Sequence, residues 1–339
     1  MVSMKDIASA CGVSVATVSK ALNDHADISE ATKQSVRECA RKMGYFPNSV
    51  ARALKTNKTY NIGVLFVEEA HSGLTHDFFA HVLDSFKRKV EEQGYDITFL
   101  NCNKSRPNHM SYLEHSRYRG FDGVVIACVN FEDPEVQELL HSDLPVVAID
   151  CECEMKTSVL SDNESGIRQL MDYAHELGHE RIAYITGKAS AVTEKRVRVY
   201  KEKLKEFGLP VREEYIVASE YRDISQTAMV TTELLALEEV PTCILFPDDY
   251  AAYGGINVIR GMGMRIPEDI SVAGYDGISL AAQIQPRLTT IRQDTETMGS
   301  TAADKLIEII ESSKPTRPET VLVSGKLVKG ETFAKNPEK

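Results

Sequence analysis

The chain has 339 residues, which favours two or three compact units, because single hydrophobic cores stop growing near ~250–300 residues. Its 42% hydrophobic and 26% charged residues are ordinary for a globular protein and argue against disorder. We find no apolar run of about eighteen residues and no basic-then-apolar leader, so we expect a cytoplasmic protein without a membrane span.

The charge is distributed unevenly along the chain. Residues 1–60 carry nine Lys and Arg against five Asp and Glu, a net charge of +4. The remaining residues carry 30 against 45, a net charge of −15, which gives −11 for the whole chain. A basic head on an acidic body can approach phosphate groups with one end while the other end stays soluble.

The seven cysteines are scattered and lack the spacing of a structural zinc site. The close pair, Cys151 and Cys153, is separated by one residue rather than two. We therefore expect reduced thiols in a reducing compartment, and neither a metal nor a cofactor.

Two short helices separated by a glycine turn are predicted at the start of the chain. Ser3 and Asp6 form a Ser-x-x-Asp start signal for the first helix. Gly12 can take the positive φ that ends a helix and turns the chain. Ser14 then caps a second helix, predicted over Val15–Leu22. This spacing is that of a helix-turn-helix, although an ordinary helical hairpin would show the same pattern.

The segment that follows favours DNA binding over the hairpin. A third helix is predicted after Ser29, with an apolar stripe of Val36, Cys39, Ala40 and Met43. Beyond it, Asn48–Lys55 is a capped helical stretch of only two turns. Isolated helices below ~12–15 residues are marginal in water, so this stretch needs a partner to fold against.

The motifs of this region resemble the head and hinge of the lactose repressor (LacI/GalR) family. The matching motifs are Lys5-Asp6-Ile7-Ala8, Gly12-Val13-Ser14, Thr17-Val18-Ser19 and Pro47-Asn48…Val50-Ala51-Arg52…Leu54. The resemblance implies a DNA-binding transcription repressor that binds a pseudo-palindromic operator as a homodimer. It also implies that the second helix enters the major groove and that paired hinge helices occupy the minor groove.

The same resemblance assigns DNA-binding roles residue by residue. Val15, Ala16 and Lys20 would face base edges, and Leu54 would wedge a base step open with Lys55 beside it. Because Val15 and Ala16 offer only apolar contact, we expect more of the specificity from Lys20, the hinge and DNA deformability. The candidates for phosphate contact are Ser14, Thr17, Ser19, Asn23, Tyr45 and Asn48, of which Thr17 and Ser19 could equally pack or cap.

From Asn61 onward, apolar strands alternate with amphipathic helices in two successive series. The predicted strands are Ile62–Val67, Ile97–Leu100, Gly123–Ala127 and Val146–Ile149, then Arg181–Ile185, Ile216–Ala218, Cys243–Phe246 and Ile270–Gly274. The alternation predicts parallel sheets in two α/β lobes with a ligand cleft between them. The layout resembles the periplasmic-binding-protein-like effector domain of the same family, which implies three chain crossings between the lobes.

The predicted organisation is an α-helical head followed by a hinge and a two-lobed α/β domain. The head is residues 1–46, the hinge helix and linker are 47–59, and the effector-binding and dimerisation domain is 60–339. Lobe 1 is predicted over residues 60–160 and 292–325, and lobe 2 over 161–291 and 326–339.

The candidate effector-binding residues follow predicted strands, at the edge where open α/β sheets place their ligands. They are His76, Phe78, Phe79, Asp150, Arg196, Tyr221, Asp248, Asp276 and Gln293. Phe78 and Phe79 could stack on a sugar ring or a base, and Phe79 would fit a core position equally well. Asp249 is interpreted as a helix cap.

Family resemblance places an arginine that contacts the ligand at Arg196. An arginine beside carboxylates suits a neutral polyol, since each hydroxyl needs a donor and an acceptor. Family members that bind simple sugars often carry arginine where this chain has Cys151, and many carry asparagine where it has Asp248. The predicted effector is a sugar or sugar derivative, and the more acidic pocket leaves an amino sugar, a nucleoside or another partly cationic ligand open.

Two other classes of protein fit the sequence less well. A transport binding protein would share the lobes but predicts a leader and no DNA-binding head. An enzyme is not expected, because the chain lacks Gly-x-Ser-x-Gly, phosphate-loop and His-Glu-x-x-His motifs. The C-terminal residues show no leucine heptads, so we expect a dimer rather than a four-chain assembly.

Overall fold

The computed structural model describes residues 2–46, 53, 58–67, 73–101 and 109–336. Its contacts divide the chain into two units, Met1–Tyr60 and Asn61–Lys339. Three residues of the predicted DNA interface, Asn48, Leu54 and Lys55, lie outside the described residues. No described helix has the length and apolar character needed to cross a membrane.

Over residues 2–46, the first unit has three helices, each of which begins at a serine cap. The helices are α1 (Met4–Cys11), α2 (Val15–Leu22) and α3 (Glu30–Lys42). Gly12 ends α1 in the left-handed region with φ 66°, as the sequence predicts. The fully buried core consists of Ile7, Val18, Ala21 and Val36. Val18 and Ala21 recur at helical spacing on α2, and the structure confirms the helix predicted from Val15 to about Leu22.

The second unit alternates strands and helices along the chain. Its strands in the described part are β1 (Asn61–Phe66), β2 (Asp96–Phe99), β3 (Gly123–Ala127), β4 (Val146–Ile149), β5 (Thr157–Ser161), β6 (Ile182–Thr186), β7 (Ile216–Ala218), β8 (Cys243–Leu245), β9 (Ser271–Asp276), β10 (Thr289–Arg292), β11 (Thr320–Val323) and β12 (Lys326–Val328). Its helices there are α4 (Asp77–Glu92), α5 (Tyr112–Arg119), α6 (Pro134–His141), α7 (Asn163–Glu176), α8 (Ala191–Glu206), α9 (Ile224–Leu235), α10 (Asp249–Gly261), α11 (Ser279–Gln283) and α12 (Thr295–Glu311), with 3-10 turns at Gly73–Thr75 and Glu213–Tyr215.

The strands form two separate six-stranded sheets. The first has the order β11-β5-β4-β3-β1-β2 and every pairing in it is parallel. The second has the order β12-β10-β9-β8-β6-β7 and is parallel except for the β10–β12 pair. Buried parallel strands covered by helices are the α/β architecture that the apolar runs predict, which confirms the fold class.

Three connections join the two sheets, after β5, after β10 and after β11. They lie side by side: Ser324 Oγ donates to Asp162 Oδ2 at 3.0 Å, and Ser161 Oγ donates to Gln293 Oε1. Strands β6–β10 of the second sheet are therefore inserted between β5 and β11 of the first, and β12 returns to the second sheet. The crossings bring residues of both lobes together.

Several elements are absent from the sequence prediction. Strand β5 and helix α7 lie between the two predicted series, and β11 and β12 lie near the C-terminus. Strand β5 reads Thr-Ser-Val-Leu-Ser, and its polar Ser158 and Ser161 are buried. Strands β4 and β11 pair with its two edges and helix α12 packs against it, and local apolar runs cannot indicate such partners.

Candidate effector site and DNA-binding helix

Helix α2 presents the predicted base-contacting side chains at the surface of the head. Val15 is 41% exposed, an unusual position for a valine in a small domain. Ala16 and Lys20 are exposed as well. Lys20 Nζ forms an ion pair with Asp27 Oδ2 at 2.5 Å, so a contact between Lys20 and a base would replace this pair.

The predicted phosphate-contacting residues also have roles within the head. Ser14 Oγ caps α2 by accepting from the Thr17 amide at 3.0 Å, and the two hydroxyl groups lie 2.8 Å apart. Asn23 Nδ2 donates to the Ser19 carbonyl at 2.7 Å and ends the same helix. Tyr45 packs on the head core. The hydroxyl and amide groups that DNA phosphates would approach are thus held in place by the helix itself.

The centre of the candidate effector site is Arg196, in the second turn of α8. Its side chain is buried, with 3% of the residue exposed. Nε donates to Asn163 Oδ1 at 2.8 Å and Nη1 donates to the Pro247 carbonyl at 2.9 Å. Its Cζ atom lies 3.6 Å from the centroid of the Tyr275 ring, a cation–π distance. These contacts fix the guanidinium plane before any ligand binds.

Carboxylates from both sheets lie within electrostatic range of Arg196. Asp150 follows β4 of the first sheet, and Asp276 ends β9 of the second. Both have left-handed backbones, with φ 60° and 96°. Such conformations are uncommon for residues other than glycine and cluster at functional sites.

The two carboxyl groups are harder to ionise than usual. Burial away from water raises the pKa of Asp150 to about 6, although the positive charge of Arg196 opposes the shift. Loss of water and the neighbouring Asp248 raise the pKa of Asp276 to about 7. Each group can therefore donate or accept a hydrogen bond near neutral pH.

Gln293 connects Asp276 to the first sheet. Its Nε2 donates to Asp276 Oδ1 at 2.6 Å, while its Oε1 accepts from Ser161 Oγ at the end of β5. Because Ser161 belongs to one sheet and Asp276 to the other, this chain of hydrogen bonds couples the effector site to the crossing segments.

The interpretation of Asp249 as a helix cap is wrong. The cap of α10 is Asp248, whose Oδ1 accepts from the Ala251 amide at 2.8 Å. Asp249 begins the helix and is fully buried; its carboxylate accepts from the Ile278 amide at 2.9 Å and from Thr290 Oγ1 at 2.6 Å. Its carboxylate thus connects the start of α10, which packs on β9, to the neighbouring strand β10.

The aromatic candidates separate into two groups. Tyr221 lies near Arg196, and its hydroxyl is 2.9 Å from Thr193 Oγ1 on the same helix as the arginine. His76, Phe78 and Phe79 instead pack on one another at the start of α4, with ring centroids 4.9–5.0 Å apart. No contact among the described residues joins these three to Arg196, and Phe78 and Phe79 are buried.

Two further contacts join the lobes beside the site. Lys195 Nζ of α8 pairs with Glu152 Oε2, beyond β4, at 2.6 Å. The Tyr250 hydroxyl of α10 donates to Asp77 Oδ2 of α4 at 2.7 Å.

Sequence reasoning misses four residues of this region. Asn163 follows the unpredicted β5, and Tyr275 precedes Asp276 within a strand that reads as apolar. Asp77 adjoins the predicted site residues His76 and Phe78, and Tyr250 follows Asp249, which the sequence analysis interprets as a cap; no local pattern pairs the two. The only sequence signal is the position of each residue at the end of a strand or the start of a helix.

The chain is similar to proteins of known type over nearly its whole length. Residues 3–48 match the family described as bacterial regulatory proteins, lacI family, and residues 171–333 match a periplasmic binding protein-like domain. The HTH-type transcriptional repressor PurR of Vibrio atlanticus is 31% identical over 92% of each chain. The probable HTH-type transcriptional repressor ExuR of Bacillus subtilis is 30% identical over 95% of each chain.

A solved structure shows the same likeness. The lac repressor dimer bound to operator and the anti-inducer ONPF superposes with a TM-score of 0.82 at 25% identity, covering 98% of this chain and 99% of that one. The chain therefore belongs to the lacI family of bacterial regulatory proteins and is a DNA-binding, ligand-responsive transcriptional repressor.

Proposed function

We propose that the controlling ligand binds around Arg196, between the two lobes, and that the repressor binds its operator as a homodimer. The observation that carries the site is the convergence on Arg196 of Asp150 from one lobe and Asp276 from the other. A ligand that contacts both acids would change how strongly the two lobes attract each other, and lobe closure is a common route of switching.

The chemistry of the site supports a small, polar ligand. The guanidinium supplies fixed donors, and the partly protonated Asp150 and Asp276 can donate or accept. A hydroxyl group needs both a donor and an acceptor, so a sugar or sugar derivative fits. An amino sugar or a nucleoside could in addition donate hydrogen bonds to the extra carboxyl groups of the site. Tyr221 adds an apolar face nearby.

The DNA interface is proposed to be the exposed face of α2 together with the hinge. Val15, Ala16 and Lys20 would contact base edges, and the phosphate contacts would come from Ser14, Thr17, Asn23, Tyr45 and Asn48. Support comes from the lacI-family match over residues 3–48 and from the operator-bound lac repressor dimer. A single three-helix head buries little surface, so specific binding favours two heads on a palindromic site.

Arg196→Ala tests the effector site. Sugars, nucleobases and amino sugars are first screened by thermal shift, since a ligand of the folded state raises the melting temperature by mass action. We expect Arg196→Ala to retain operator binding and to lose both the melting-temperature shift and the change in operator affinity. Arg265→Ala is the matched control, because Arg265 is exposed and pairs with Asp269. A full ligand response in Arg196→Ala would show that the pocket lies elsewhere.

A further inference from the structure

Arg222 is a second arginine beside the effector site. It follows Tyr221 in the loop between β7 and α9, and its backbone is left-handed with φ 62°. Its amide donates to Asp248 Oδ2 at 2.8 Å. Since Asp248 interacts electrostatically with Arg196, this bond places Arg222 at the edge of the site.

The guanidinium of Arg222 lies at the boundary between the lobes. Its Cζ atom is 4.7 Å from the centroid of the Tyr250 ring, and its Nη2 atom is 3.9 Å from Asp77 Oδ2. Tyr250 is on α10, which packs on β9 of the second sheet, whereas Asp77 is on α4, which packs on β2 of the first. Arg222 thus contacts elements of both lobes.

This guanidinium donates few of the hydrogen bonds that its N–H groups could make. Nη1 is buried and has no hydrogen-bond partner within the described part of the chain. The 3.9 Å separation from Asp77 is too long for a hydrogen bond, and that oxygen already accepts from the Tyr250 hydroxyl. Arg196, by contrast, donates from both Nε and Nη1. Buried donors are nearly always paired, so a donor left over at a binding site indicates an acceptor supplied by something else.

The acids around Arg222 restrict what that acceptor can be. Asp77 and Asp248 lie against the side chain and backbone of Arg222, and Asp276 is close to Asp248. An anionic ligand would be repelled by these carboxylates as well as attracted by the arginine. A carbonyl or hydroxyl oxygen would accept from the guanidinium without that repulsion.

We propose that Arg222 is a further effector-binding residue, which donates a hydrogen bond to an uncharged oxygen acceptor of the ligand. This inference rests on the proposed effector site around Arg196. It assigns to the ligand a neutral acceptor group on the side facing α4 and α10.

Arg222→Met in the full chain tests the inference, because it removes the donors and keeps most of the side-chain volume. The probes are D-glucose, D-gluconate, D-ribose, D-glucosamine and uracil, each of which carries a hydroxyl or carbonyl oxygen, compared by thermal shift. Without ligand, the melting temperature should change little, since Nη1 loses no hydrogen bond and the variant removes only the 3.9 Å ion pair with Asp77 and the contact with the Tyr250 ring. A probe that stabilises the wild type should bind Arg222→Met about ten-fold more weakly. Arg265→Met is the matched control and should behave as the wild type.

The outcomes separate this inference from the proposed site. Equal stabilisation of the wild type and Arg222→Met by a probe overturns the role of Arg222, while loss of that stabilisation in Arg196→Ala keeps the site. A melting temperature of ligand-free Arg222→Met well below that of the wild type also overturns it, because Arg222 would then be a structural ion-pair partner. Stronger stabilisation by D-gluconate than by D-glucose contradicts the neutral acceptor. Absence of any shift in the wild type counts against both proposals.

Discussion

The structural role of each carboxyl group in the effector site is set by its surroundings, since aspartates with the same side chain have different roles there. Asp248 and Asp249 are neighbours in sequence, yet one caps a helix and the other clamps that helix to a strand. Asp276 has neither role. Its left-handed backbone turns the carboxyl group toward Gln293 and the other acids, where it is partly removed from water.

The raised pKa of Asp276 predicts a pH-dependent stability. The folded protein holds this proton up to about pH 7, whereas the unfolded chain releases it near 3.8. The contribution of Asp276 is therefore fully present below pH 3.8 and is lost as pH rises to about 7. Asp276→Asn cannot ionise, so its free energy of unfolding relative to the wild type should rise by roughly 1–3 kcal/mol from pH 4 to pH 8.

Urea denaturation at several pH values between pH 4 and pH 8 measures this difference. Asp269→Asn is the matched control, because its ion pair with Arg265 lowers the pKa of Asp269 to about 2, outside the window. A constant difference between Asp276→Asn and the wild type across the range would show that Asp276 ionises normally.

Helices α4 and α12 of the first lobe pack closely against each other. Both cover the first sheet, and α12 is the element by which the chain returns to it after building the second. Gly299 of α12 allows the approach: a Cβ atom there would lie 2.2 Å from the Val82 carbonyl oxygen and 2.7 Å from the Phe86 amide nitrogen of α4. Backbone atoms cannot move aside as a flexible side chain can, so the helix spacing depends on this glycine.

Gly299→Ala should therefore destabilise the protein, by roughly 1–3 kcal/mol for overpacking of a tight contact. Gly261→Ala, at the end of α10, is the matched control, since no atom lies within 4 Å of a Cβ placed there. That control should be neutral or stabilising by about 0.5–1 kcal/mol, because alanine favours the helix. The free energies of unfolding of the two variants, measured by urea denaturation, test whether the helices are this close. Equal values would show that they lie further apart than described.

The whole molecule combines a basic head with an acidic, two-lobed body. The head supplies a helix with exposed Val15 and Lys20, and the body supplies residues from both lobes around one arginine. Few hydrogen-bonding side chains are available on α2 for reading bases. Operator specificity should therefore depend on the hinge and on DNA deformability as much as on direct contacts.

Leu54→Ala tests this dependence on the hinge. If Leu54 opens a base step at the operator centre, its loss should lower operator affinity toward that for unrelated DNA, by about 10³-fold or more. Ligand-induced thermal shifts should be unchanged, and Leu74→Ala, at an exposed leucine of the second unit, is the matched control. Operator titrations at a fixed salt concentration measure the effect, and unchanged affinity would count against the wedge.

Sedimentation of the wild type with operator should show two chains per site; a monomer at micromolar concentration would refute the dimer.

The sequence by itself determined the features that depend on neighbouring residues. Serine caps, Gly12 and the apolar periodicity specify the three head helices, and continuous apolar runs specify most strands of both sheets. Each of these signals lies within a few residues, so no distant contact is needed to interpret it. Together with the motifs of the head, they were sufficient for the family and the fold.

Only the tertiary structure decided how the effector-site residues meet. Arg196 bonds to Asn163, 33 positions away, and Ser161 bonds to Gln293 across 132 positions. The buried polar strand β5 depends on packing within the first lobe, and the Arg222 nitrogen that has no partner among the described residues lies where elements of both lobes meet. Such contacts are set by three chain crossings, and burial by distant elements leaves no periodic trace in the local sequence.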